Sequence, residues 1–178
     1  MGNLALVPLS ADGKITLAAG GAGSADAILD VVGYVDTVFT AGSSNGLFSP
    51  LSSPTRLLDT RAKATNPIDP PLGAGLGPQQ GGTANVRNFV ASGKAGIPTN
   101  AIALIAQVTL VDTTGPSFIG LYGGPTWPGT VAVASAAAGQ LPGNLAIIPL
   151  DSAGSFNAIF GPNASNYIID VVGYIAGN

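Results

Sequence analysis

Asp170-Val171-Val172-Gly173-Tyr174 ends the last apolar stretch of the chain, and the same five residues stand at Asp30-Val31-Val32-Gly33-Tyr34. Each copy closes a longer shared segment. The first reads GNLALVPLSADGKITLAAGGAGSADAILDVVGYV over residues 2–35, and the second GNLAIIPLDSAGSFNAIFGPNASNYIIDVVGYI over residues 143–175. One single-residue gap brings roughly 15 of about 33 positions into identity, which marks an internal repeat. The repeat is unequal. Between the copies lies a long stretch that occurs once, so the second copy has a domain to close and the first has none ahead of it.

Working outward, each copy reads as three strands. Residues 3–9 and Ile15-Thr16-Leu17 flank the turn Ala11-Asp12-Gly13-Lys14, and the pair reads as a hairpin. A glycine-rich loop follows, then an apolar, β-branched run to residue 35. Residues 36–45 are Ser, Thr and Gly-rich and read as a linker. Residues 62–82 form a long irregular loop rich in Pro and Gly. Strands are predicted over residues 83–90, 101–111 and 117–122, with 131–137 ambiguous between helix and strand. Turn signals such as Asp112-Thr113-Thr114-Gly115-Pro116 separate them. No stretch sustains a 3.6-residue period. Short strands between regular turns give an all-β protein, an antiparallel β-sandwich of immunoglobulin-like or jelly-roll-like type. The expected organisation is a partial repeat over 1–36, a linker over 37–45 and a complete sandwich over 46–178.

Composition narrows the chemistry. Of 178 residues, 46% are hydrophobic and 8% charged, and the formal net charge is −3. The apolar share is too high for a disordered chain. The chain contains no His, no Cys and no Glu; all nine acids are Asp. No basic stripe offers itself to nucleic acid. The longest apolar run, around 101–111, is too short to span a bilayer. No metal-ligand spacing and no nucleophile with a base is present, so no cofactor, no metal and no enzymatic activity are expected. The Asp-Thr pairs at 36, 59 and 112 lack the Gly that a D-T-G protease loop would need. No charged segment followed by an apolar core opens the sequence, so no signal peptide is visible.

The span from Phe48 to Tyr174 resembles a repeat domain of secreted and cell-surface bacterial proteins. That family opens with a Phe, a Pro and P-x-R-L-L-D-T-R, matched here at residues 54–61. It carries G-I-P, matched at Gly96-Ile97-Pro98, then A-G-Q at Ala138-Gly139-Gln140 and N-L at Asn144-Leu145. It closes with D-V-x-G-Y at residues 170–174. The resemblance implies an extracellular or cell-surface, non-catalytic β-domain that occurs in tandem arrays or beside secreted hydrolases. Relatives often carry a cysteine before the first Arg and another near G-I-P. Thr55 and Ala95 or Lys94 stand there in this chain, so that disulfide is absent.

Several residues stand out as candidates. Arg56, Asp59 and Arg61 cluster in one run, and Asp170 lies on a strand face with Ile168 and Val172. A charge on an apolar face needs a partner, so these residues read as an ion-pair network. Asp30 is the matching acid of the first copy, and with one opening motif for two closing acids, one of them must find its Arg elsewhere. Leu4, Leu6, Ile15, Leu17, Ile28, Val32 and Tyr34 form the apolar pattern of the first copy, the expected assembly segment. Such a segment buries itself against a neighbour, and homo-oligomers that polymerise into a filament or surface layer follow. The alternative reading is a carbohydrate-binding, adhesive module, with Tyr122 and Trp127 as a stacking platform. Asn163-Ala164-Ser165 is a glycosylation sequon.

Overall fold

The computed structural model describes residues 4, 7, 9–18, 26–29, 31, 33–34, 46–62, 72–129 and 132–177. Eight strands form among them: β1 (Phe48–Asp59), β2 (Arg87–Val90), β3 (Ala101–Val111), β4 (Ser117–Tyr122), β5 (Ala134–Ala136), β6 (Gly143–Pro149), β7 (Ser155–Phe160) and β8 (Asn166–Ala176). They make two antiparallel four-stranded sheets, ordered β1-β8-β3-β6 and β2-β7-β4-β5. The molecule is therefore the β-sandwich that the turn spacing implied. Two expectations shift locally. Residues 83–85 form a 3₁₀ turn before β2, so the strand predicted over 83–90 is shorter. The Ala-rich stretch after 131 resolves as the short strand β5.

The core lies between the sheets and follows the two-residue period of each strand. Leu104, Ala106, Val108 and Leu110 point inward from β3, and Tyr167, Ile169 and Val171 from β8. Leu57 and Leu58 are both buried although they are consecutive. A register shift between Arg56 and Leu58 makes this possible, since a bulge turns two successive side chains to the same side. Phe89, Phe156, Phe160 and Tyr167 form an aromatic cluster, with ring centroids of 5.2 Å for Phe160–Tyr167 and 5.6 Å for Phe89–Phe156.

The second copy of the repeat supplies β6, β7 and β8, and here the hairpin expectation is corrected. β6 pairs with β3, β7 with β2 and β4, and β8 with β1 and β3. None of the three bonds to another. The turn between β6 and β7 carries the chain from one sheet to the other, forming an arch in place of a hairpin. Its strands obtain every ladder partner from residues 46–142.

The same turn forms in the first copy. Ser10 N–H donates to the Lys14 carbonyl at 3.0 Å and Gly13 N–H to the Ser10 carbonyl at 2.9 Å. Asp151 N–H to Ser155 and Gly154 N–H to Asp151, at 2.8 and 2.9 Å, repeat the pattern. The Ser10 hydroxyl and the Asp151 carboxylate each accept from the backbone N–H four residues on, at 2.9 and 2.8 Å. Gly13 and Gly154 have φ of 76° and 71°, which glycine adopts freely. Beyond this turn the copies part. Three strands were expected over residues 3–35, yet none of the described residues there lies in a strand. The arch explains it: a segment whose strands never pair with each other cannot build a ladder by itself.

Candidate assembly site

β1 and β8 are joined by charge as well as backbone. Arg56 and Asp170 are direct register partners. The Arg56 guanidinium grips the Asp170 carboxylate with two bonds, Nε to Oδ1 at 2.9 Å and Nη2 to Oδ2 at 3.2 Å. Such fork geometry strengthens the pair and fixes its orientation. Beside it, Asp59 is fully buried and accepts from Arg61 Nη2 at 2.7 Å, Arg61 Nε at 3.0 Å and the Arg61 backbone N–H at 3.1 Å. Arg56 Nη1 lies 3.5 Å from the same carboxylate. Burial pushes the Asp59 carboxyl upward, but the Arg61 hydrogen bonds and the two guanidinium charges outweigh it and hold the group below its ordinary value. The structure thus brings Arg56, Asp59, Arg61 and Asp170 together; Asp30 lies outside the described residues.

Three residues on from Asp170, Gly173 admits no side chain. A Cβ there would fall against the Phe48 ring and lie 2.7 Å from the Ser49 carbonyl oxygen. Gly173→Ala is expected to destabilise the protein by about 2 kcal/mol, because backbone must shift to make room. Urea unfolding of the variant checks this, and an unchanged midpoint would contradict it. Gly33, the same residue in the first copy, meets nothing within 4 Å.

That contrast recurs at four apolar positions of the repeat. Ile148, Ala158, Ile169 and Val171 are fully buried in the second copy. Their counterparts Val7, Leu17, Leu29 and Val31 are 51%, 67%, 58% and 78% exposed. Ile28 and Tyr34 are exposed too, while Leu4 and Ile15 are half-buried. Leu6 and Val32 lie outside the described residues.

The glycan candidates sit apart from this region. Tyr122 is buried. Trp127 is half-buried and stacks on Phe118, with centroids 5.8 Å apart and planes 24° from parallel, so one indole face is already occupied. At the sequon, Asn163 Nδ2 donates to the Pro116 carbonyl at 2.8 Å, and Ser165 is buried and bonded to Thr113. Among the described residues no group of His, Cys, Asp or Glu is placed to hold a metal ion, and no helix is long and apolar enough to cross a membrane.

Sequence reasoning missed Gln79. It lies in the Pro/Gly-rich loop but is fully buried, donating through Nε2 to the Asn85 and Ala158 carbonyls and accepting from the Tyr167 hydroxyl at 2.7 Å. No periodicity in this loop marks Gln79 as buried. No protein-family model matches the chain, and no curated protein matches it.

Proposed function

We propose that this is a structural, non-catalytic β-domain protein of the bacterial cell exterior. It assembles into a filament or surface layer, with residues 2–35 of one unit completing a β-domain of its neighbour. One observation carries the reading: the repeated pattern is buried at 148, 158, 169 and 171 and exposed at 7, 17, 29 and 31. Four large or medium apolar side chains in water are a standing drive toward association, at about 25 cal/mol per Å² covered. The chain's low charge removes the usual guard against strand addition.

The test compares native material with the purified chain. Electron microscopy of material released from cells is expected to show filaments or sheets. In them, amides of residues 9–18 and 26–34 should exchange slowly, while in the purified chain they exchange fast. Deleting residues 1–40 is expected to abolish incorporation and leave the sandwich folded. Discrete unassembled particles, or equal exchange in both preparations, would refute the proposal.

A further inference from the structure

The partner of the first copy can be specified more closely, on the assembly reading above. We infer that residues 2–35 are the closing three strands of a second sandwich of this architecture, and that Ile15, Leu17 and Ala27 reserve them for a receiver other than residues 46–142 of this chain.

Two positions show that a strand like β1 belongs opposite the first copy. The repeat keeps Asp30 where Asp170 meets an Arg from β1, and Gly33 where Gly173 is crowded by Phe48 and Ser49 of β1. Nothing crowds Gly33 in this structure. The arch topology adds that each strand needs ladder partners from outside the segment. A receiver therefore has the form of β1 to β5.

The receiver in this chain does not fit. Tyr167 is fully buried among Phe89 and Phe160 and bonded to Gln79, and its counterpart is Ala27. Phe156, also fully buried, becomes Ile15, and fully buried Ala158 becomes Leu17. Two sites would be left with holes and one would be overfilled. A hole the size of a missing Tyr ring weakens packing roughly a hundredfold or more. Forcing Leu into a closed Ala site costs roughly another tenfold. The matching receiver carries bulkier side chains opposite Ala27 and more space opposite Leu17.

Disulfide trapping tests this on the full chain, which has no native cysteine. Gln107 faces Leu145 in register, and Leu4 is the counterpart of Leu145. Leu145→Cys with Gln107→Cys should link on oxidation. Leu4→Cys with Gln107→Cys should not, either within a chain or between chains. Adding Ile15→Phe, Leu17→Ala and Ala27→Tyr should raise the Leu4–Gln107 link at least about tenfold. Should that combination fail to fold, Leu17→Ala with Ala27→Tyr, at two exposed positions, should raise it as well. Equal linking with and without the substitutions, or no linking in a folded substituted chain, overturns the inference. A failure of the assembly reading shows instead as absent protection in native material, and leaves the disulfide result readable.

Discussion

Replacing Tyr167 with alanine is expected to lower the unfolding free energy by about 5 kcal/mol, a large share of the roughly 5–15 kcal/mol that a domain has. The residue is fully buried where the two sheets meet. Its ring touches Phe160 at 5.2 Å and Phe89 at 6.3 Å, and its hydroxyl holds Gln79 at 2.7 Å. Alanine leaves a cavity that β8, fixed between β1 and β3, cannot collapse into. It also strands the Gln79 amide oxygen, while the amide nitrogen keeps its two carbonyls. Tyr167→Phe separates these effects, keeping the ring and losing about 1–2 kcal/mol for the unmet acceptor. The hydroxyl has a pH signature. Burial pushes the Tyr167 phenol above its ordinary value. A raised acid is protonated more in the folded state, so its stabilisation is complete below about pH 10 and fades as pH climbs toward the raised value. Chemical denaturation from pH 8 to 11 should show a decline that is smaller in Tyr167→Phe. A Tyr167→Ala loss under about 1.5 kcal/mol would mean the site relaxes around the missing ring.

The same tyrosine shows where sequence reading stops. That residues 166–174 form a strand is legible from their apolar, β-branched run. That Asp170 seeks an Arg is legible because a carboxylate stands on an otherwise apolar face. The sandwich is legible from short strands between regular turns. Which strands pair is less legible. The Ser10–Lys14 and Asp151–Ser155 turns carry the Gly that a hairpin also uses, and only the position of partners far along the chain decides between hairpin and arch. β7 enters the second sheet because β2 and β4 await it there, and no local pattern records that. Gln79 is hidden for a related reason. Its burial comes from a loop folding over the aromatic cluster, and a Pro/Gly-rich loop has no period to read. For the first copy the limit is stronger, since the matching strands of the second copy find their partners only outside the repeated segment.

Asp59→Ala is expected to cost about 3 kcal/mol, although the pairs around Asp59 look like a surface charge cluster. The carboxylate is fully buried, while Arg56 and Arg61 reach solvent with 29% and 39% of their side chains exposed. Exposed pairs contribute little, but this acid accepts several hydrogen bonds in a site that water does not enter. Its removal leaves the Arg61 backbone N–H without its carboxylate acceptor and loosens Arg56, which still holds Asp170. Asp59→Asn keeps an acceptor and loses the charge, so about 2 kcal/mol is expected. The acid limb follows from the sign of the shift. Asp59 is held below the ordinary carboxylate value when folded, so its contribution is complete above about pH 4 and is lost as pH falls through the lowered folded value. Urea unfolding between pH 2 and pH 6 should show wild-type stability falling toward that of Asp59→Asn at the acid end. The two curves should separate above about pH 4. A constant gap across the range would mean that Asp59 stabilises by shape and not by charge.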